Sequence, residues 1–125
     1  MIGTVIGKKN VRFVRGETET KIRKKTVSDL NSGNIRCVIA TKIFAVGMNF
    51  PELNVLINTK AQLSPVDWIQ CLGRAMRKTP TKDTVTICDI FDYSCRYLTK
   101  HSNERLEILQ QEPAFIIKQI DSEKI

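Results

Sequence analysis

The sequence is poor in long hydrophobic runs, in histidine and in paired cysteines. Its longest purely apolar stretches, such as 38–40, span a few residues and fall far short of the roughly 20 needed to cross a membrane. One histidine and four cysteines without a C-x-x-C pair argue against a zinc site, so we expect no bound metal. The first residues lack the basic-then-apolar order of a secretory signal. We therefore expect an intracellular protein with reduced thiols and no membrane contact.

Positive charge is the most marked feature of the composition. The chain has 20 lysines and arginines against 13 aspartates and glutamates in 125 residues, which gives a net charge of +7. Such a charge favours an anionic partner, most simply nucleic-acid phosphate. A soluble domain with a lysine-rich face fits the charge equally well. The length allows one hydrophobic core and therefore one domain.

Apolar β-branched runs alternate with helix-forming segments along the chain. Strands are predicted at 11–14, 35–40, 54–58 and 85–91, helices at 18–32, 65–78 and 93–111, and 114–120 could form a last strand. This alternation predicts parallel β-α-β units and an α/β layered domain. Residues 1–7 are typical of the end of a helix, so we expect the strand before that helix to be missing.

The predicted helix at 65–78 carries two arginines on one narrow arc. At 100° per residue, Gln70, Arg74 and Arg77 fall within roughly 60° of one another. Gly73 beside them would let another backbone or a ligand come close. Two permanently charged, forked guanidinium groups suit a triphosphate and can neutralise charge on a γ-phosphoryl group. The alternative is an amphipathic helix with a solvated basic stripe.

This segment, Gln-x-x-Gly-Arg-x-x-Arg, resembles motif VI of superfamily 2 nucleic-acid helicases at every fixed position. The resemblance implies that Arg77 is the arginine finger on the γ-phosphate of ATP and that Arg74 is its companion. It also implies that Gln70 couples the nucleotide to the nucleic-acid path, and that Gly73 lies close to the nucleotide.

Residues 37–51 resemble motif V of the same superfamily. An apolar strand ends at Thr41, and Gly47 and Asn49 follow at the family's spacing, although many members have aspartate in place of Asn49. A strand end can deliver a hydroxyl and backbone amides to a phosphate. The resemblance implies that Thr41 and Lys42 contact the nucleic-acid backbone, that Gly47 allows a tight turn, and that Asn49 lies near the ribose or supports the arginines. A hydroxyl that merely caps the next helix is the alternative for Thr41.

Two further segments carry weaker resemblances. Gly16 and Arg23 resemble the Gly-x(6)-Arg stretch that precedes motif V, which implies that Arg23 contacts nucleic acid; a solvated basic helix face is the alternative. Residues 89–92 and 101–106 are similar to the closing elements of phage and bacterial DNA-repair-type helicases. This similarity implies DNA rather than RNA as the partner. Without a P-loop or an Asp-Glu pair, we interpret Asp89 as a structural residue.

The resemblance as a whole implies a RecA-like three-layer αβα domain with a mainly parallel central sheet over residues 1–125. The domain would be the C-terminal lobe of an ATP-dependent helicase, cytoplasmic or nucleoid-associated, whose first strand and N-terminal P-loop lobe are absent. ATP with Mg²⁺ would be held mainly by that N-terminal lobe, so the chain alone would be inactive. Two alternatives stay open, a stand-alone basic nucleic-acid-binding module and a non-catalytic RecA-like scaffold.

Overall fold

A computed structural model describes residues 5–41, 49–61, 64–121 and 123 of the chain. Within these residues the elements are β1 (Val11–Val14), α1 (Thr20–Asn31), β2 (Cys37–Ala40), β3 (Val55–Asn58), α2 (Pro65–Ala75), β4 (Thr86–Asp89) and α3 (Arg96–Gln110). A single 3-10 turn, Lys8–Asn10, comes before β1. In these ranges no helix is both long enough and apolar enough to span a lipid bilayer.

The described residues form two parallel β-α-β units, followed by α3. Strands β1 and β2 pair in parallel across α1, and β3 and β4 pair in parallel across α2. The predicted α/β architecture with parallel strands is therefore confirmed. The described strands form two pairs and not one continuous sheet. The carboxyl ends of the strands place Thr41 at the end of β2 and bring Asn58 opposite Asp89.

Two clusters of buried apolar side chains form the core. One consists of Leu56 from β3 and the buried face of α2, with side chains of α3 packed against it. The other centres on Val14 and Phe50, against which α1 packs. Leu53 contacts both clusters and so joins the two units. The free energy gained by this burial fixes which side of α2 faces outwards.

The ends of the helices follow the signals in the sequence. Ser64 caps α2 by accepting a 3.1 Å hydrogen bond from the Asp67 backbone, and Pro65 occupies the first turn. Gly33 follows α1 with a φ of 80°, a conformation that favours glycine. Helix α2 ends at Ala75, three residues before the predicted end.

The prediction of a last strand at 114–120 is wrong. Residues 115–120 pair with no strand among the described residues, and Ile116 and Ile120 are 89% and 65% exposed. An apolar run becomes a strand only where a sheet edge offers hydrogen bonds and a face to cover. Residues 5–6, by contrast, are helical, as expected for the end of a helix.

Candidate functional site

Helix α2 presents Gln70, Gly73 and Arg74 of the predicted polar arc, while Arg77 lies just beyond its last residue, Ala75. Gln70, Gly73 and Arg77 are exposed and Arg74 is half-buried. The opposite side is anchored by Trp68, whose side chain is fully buried and whose Nε1 donates to the Arg105 backbone carbonyl over 3.3 Å. Because this anchor fixes the rotation of the helix, the arc faces away from the core.

One nitrogen of the Arg74 guanidinium group lacks a hydrogen-bond acceptor among the described residues. Its Nη1 atom is inaccessible to solvent and finds no hydrogen-bond acceptor within the described part of the chain. A buried N–H without an acceptor is costly, and the cost is larger for a charged group. An anionic acceptor would therefore bind favourably here, once the half-buried side chain turns outwards to meet it. The residues present thus fit a phosphate group.

The neighbouring Cys71 is a buried thiol rather than a reactive one. Burial raises the pKa of Cys71 to about 11, although the positive charge of Arg74 acts in the opposite direction. The thiol therefore stays protonated near neutral pH and acts as a small apolar side chain. Arg74 accordingly has no anionic partner in Cys71.

Gly73 faces open space. A methyl group built on its Cα would meet no described atom within 4 Å outside its chain neighbours and its own helix backbone. Glycine inside a helix costs about 1 kcal/mol relative to alanine, so packing within the described chain does not account for it. Because Gly73 has no side chain, another surface can approach the helix backbone closely at this position.

The turn after α2 contains a buried lysine that the sequence analysis missed. Lys82 is 5% exposed, and its Nζ donates to the backbone carbonyls of Ala75 (2.9 Å) and Leu53 (3.1 Å). Burial lowers the pKa of Lys82, and the charge of Glu52 partly opposes this effect. A single lysine in a polar turn carries no sequence pattern, because lysine is usually solvated.

Glu52 is held by the same turn. Its Oε2 accepts a 2.7 Å hydrogen bond from the Thr81 hydroxyl. Hydrogen bonds from Thr81 and Thr79 lower the pKa of Glu52, with a smaller contribution from the charge of Lys82. The segment that follows the predicted motif V is thus tied to the turn that follows the predicted motif VI.

The predicted motif V is described only in part. Thr41 is exposed, and its backbone N–H donates to the Val14 carbonyl over 3.2 Å. Lys42 and Gly47 lie outside the described residues. Asn49 is half-buried, and its Oδ1 is inaccessible and accepts no hydrogen bond from any described residue. Like Arg74, Asn49 therefore offers a polar atom that an added group could satisfy.

Arg23 shapes the loop between β1 and α1. Its Nε donates to the Thr18 carbonyl over 2.6 Å and its Nη2 to the Gly16 carbonyl over 3.1 Å. The Gly-x(6)-Arg spacing thus corresponds to a contact within the chain. A direct contact of Arg23 with nucleic acid stays a prediction.

Asp89 belongs to a buried polar network. It accepts hydrogen bonds from Arg105 Nε at 2.9 and 3.1 Å and from Asn58 Nδ2 at 2.7 Å. Arg105, which is 1% exposed, also donates to the Ala61 carbonyl. Asp89 therefore joins α3 to the ends of β3 and β4, in line with the structural interpretation. No sequence pattern identifies Arg105 as its partner.

The chain as a whole matches a known domain family. The sequence profile of the helicase conserved C-terminal domain matches residues 3–79, which is more than half of the chain and includes both motifs. The chain belongs to this family. The predicted membership of a superfamily 2 helicase C-terminal domain is thereby confirmed.

Curated relatives of this helicase domain are much longer proteins. The ATP-dependent RNA helicase dbp3 of Schizosaccharomyces pombe is 27% identical over 109 residues, which are 87% of this chain and 18% of that protein. The ATP-dependent DNA helicase fml1 of the same yeast is 33% identical over 73 residues, 58% of this chain and 9% of that protein. Because proteins named RNA and DNA helicases both match, the predicted preference for DNA is not supported.

Solved structures confirm the RecA-like fold of the helicase domain. The C-terminal domain of the DEAD-box protein Dbp5 superposes with a TM-score of 0.59 at 22% identity, covering 88% of this chain and 60% of that one. The C-terminal part of the Fun30 ATPase domain gives a TM-score of 0.60 at 16% identity, covering 81% and 33%. T4 UvsW gives 0.55 at 21% identity, covering 82% and 24%.

Proposed function

We propose that this helicase domain is the C-terminal lobe of an ATP-dependent nucleic-acid helicase or translocase, to whose ATP site it supplies Arg77 and Arg74. The observation that carries the proposal is the unpartnered, inaccessible Nη1 of Arg74 among the described residues. It lies on α2 next to Gly73, which leaves open space, and Arg77 is exposed just beyond the end of the helix. An anion carried by a second surface would satisfy Nη1 once the half-buried Arg74 side chain turns towards it.

The chemistry on this arc is electrostatic. Bound Mg²⁺-ATP would supply the γ-phosphoryl group, and the sequence of this chain contains no P-loop of its own to hold it. When an N-terminal lobe closes on the domain, Arg77 neutralises charge that develops on the transferring group. Arg74, more deeply placed, binds the same phosphate and fixes its position. Gln70, one turn before Arg74, contacts the opposing lobe or the nucleic acid.

Nucleic acid would bind at the carboxyl end of β2. Thr41 is exposed there, and the net charge of +7 favours phosphate throughout the domain. Asn49 has an acceptor without a partner among the described residues, and in this proposal it binds the nucleotide ribose or an arginine. Competition between single-stranded DNA and RNA of equal length decides which nucleic acid is preferred.

Replacing Arg77 with alanine tests the proposal in a two-lobed protein that contains this chain. We expect kcat for ATP hydrolysis to fall by about 10³-fold or more, because the charge on the γ-phosphoryl group is no longer neutralised. The KM for ATP and the affinity for nucleic acid should change only a few-fold. Steady-state ATPase assays and fluorescence anisotropy measure these quantities. Arg96→Ala, at an exposed position of α3, is the matched control.

Near wild-type ATPase activity in the Arg77 variant, together with weakened nucleic-acid binding, would contradict the proposal. That result would favour a basic nucleic-acid-binding module with no part in ATP hydrolysis. The exposed lysines of α1, Lys21, Lys24 and Lys25, are the observation behind this second candidate. It predicts nucleotide-independent, strongly salt-dependent binding of single strands by the isolated domain.

A further inference from the structure

Lys82 lies between two segments of the chain and has no direct part in the proposed ATP chemistry. Its ammonium group binds the Ala75 carbonyl in the last turn of α2 and the Leu53 carbonyl in the segment before β3. A cation at this position also complements the negative end of the helix dipole. One side chain thus connects the end of the arginine helix to the segment after motif V.

Both ends of the short loop that contains Arg77 are held by this residue. The side chain of Lys82 binds Ala75, two residues before Arg77, and its backbone forms hydrogen bonds in both directions with Thr79, two residues after Arg77. Arg77 has left the regular helix, which ends at Ala75. Its backbone position therefore depends on how this loop is closed.

Burying an ammonium group is a costly way to fill space, because its charge must leave water. The two carbonyls and the charge of Glu52 offset part of that cost. An apolar side chain of similar length would fill the same space without the cost. It could not, however, bind carbonyls on two separate segments at once. The ammonium group therefore fixes the position of one segment relative to the other.

We propose that Lys82 is a positioning residue. It holds Arg77 at the position that the ATP site requires, because it ties the loop that contains Arg77 to the segment after motif V. This inference rests on the proposed function, since it assigns to Lys82 an effect that acts only through Arg77. A displacement of about 1 Å can reduce a rate by roughly a hundredfold, so such an effect is measurable.

The test is Lys82→Met in the two-lobed protein, with Lys100→Met as the matched control. Methionine keeps an unbranched apolar stem and removes the donors, and Lys100 is 73% exposed on α3. We expect kcat for ATP hydrolysis to fall by about ten- to a hundredfold in the Lys82 variant, with the KM for ATP within about twofold. Lys100→Met should behave as wild type. Circular dichroism and thermal melting show that each variant is folded.

A double-mutant cycle separates positioning from general destabilisation. If Lys82 acts through Arg77, Lys82→Met should cause no further loss of kcat in the Arg77→Ala background. An unchanged kcat in folded Lys82→Met, or an equal loss in both backgrounds, overturns the inference and leaves the proposed function intact. An Arg77→Ala variant with wild-type kcat overturns both.

Lys82→Arg keeps the test decisive if the methionine variant does not fold. Arginine retains charge and donors, but its longer planar group cannot place them identically. We expect it to fold and to lose kcat by a few-fold, and only where Arg77 is present. A folded Lys82→Arg variant that loses kcat equally in the Arg77→Ala background overturns the inference.

Discussion

At the scale of single residues, a substitution at Gly73 should have opposite effects on stability and on ATPase activity. The glycine lies inside α2 and faces open space, so nothing in the described chain requires it. Gly73→Ala should raise the free energy of unfolding of the isolated domain by about 0.5–1 kcal/mol, because alanine is the better helix former.

In a two-lobed protein the same Gly73→Ala change should lower ATPase activity, because the added methyl group obstructs the approach of the opposing lobe. Denaturant unfolding and ATPase assays on the same variant measure the two effects. If Gly73→Ala is more stable than wild type and also keeps full ATPase activity, the helix surface at Gly73 is not an interface with another lobe.

Cys71 gives the domain a specific pH dependence. Its pKa is about 11 in the folded chain against 9.0 for an ordinary thiol, because burial disfavours the thiolate. The folded state therefore holds this proton more tightly than the unfolded chain. The contribution of this proton to the free energy of unfolding is fully present below pH 9. It falls by ~2–3 kcal/mol as the pH rises from 9 to 11.

The comparison of Cys71→Ala with wild type isolates the pH-dependent contribution of Cys71, since the two proteins share all other titrating groups. The slope of unfolding free energy against pH between 9 and 11 should be shallower in Cys71→Ala. Identical slopes in wild type and Cys71→Ala would mean that Cys71 is solvated in the folded state.

At the scale of elements, the network of Asp89 and Arg105 decides how α3 attaches. Asp89→Asn leaves the buried guanidinium of Arg105 without its carboxylate, while the shape of the side chain is kept. We expect a loss of roughly 3–5 kcal/mol in unfolding free energy, measured by urea denaturation. Asp83→Asn, at an exposed position, should change it by less than about 0.5 kcal/mol. If Asp89→Asn also lost less than about 0.5 kcal/mol, the pair of Asp89 and Arg105 would be well solvated.

The elements themselves could be predicted because local signals agree with tertiary packing. Apolar β-branched runs became β1 to β4, and Ser64 with Pro65 set the start of α2. The segment at 114–120 has the same local character as a strand. It failed as a prediction because pairing depends on an available sheet edge, which a local pattern does not contain.

The positions of polar side chains in the core were less predictable. Trp68 and Ala75 are apolar side chains of α2 and are buried. Lys82 and Arg105 are buried as well, although charged side chains usually stay in water. Their burial depends on carbonyl and carboxylate partners that are distant in sequence, and no spacing rule identifies such partners.

At the scale of the whole molecule, two short motifs carried the assignment. Gln70 to Arg77 and the strand ending at Thr41 pointed to one helicase lobe, and the family match over residues 3–79 confirmed it. The roles of individual residues within the motifs remain proposals. The preference for DNA that residues 89–92 and 101–106 implied is not supported, and the phosphate backbone that a basic surface attracts is common to DNA and RNA.

The central claim is that Arg77 and Arg74 act on ATP held by another lobe, and a transition-state analogue tests it most directly. Binding of ADP and of ADP with aluminium fluoride should be compared between wild-type and Arg77→Ala two-lobed protein, with nucleic acid present. The account predicts that ADP affinity stays within about twofold, while affinity for the aluminium fluoride complex falls by at least about a hundredfold. Equal affinity of both proteins for the analogue would contradict it.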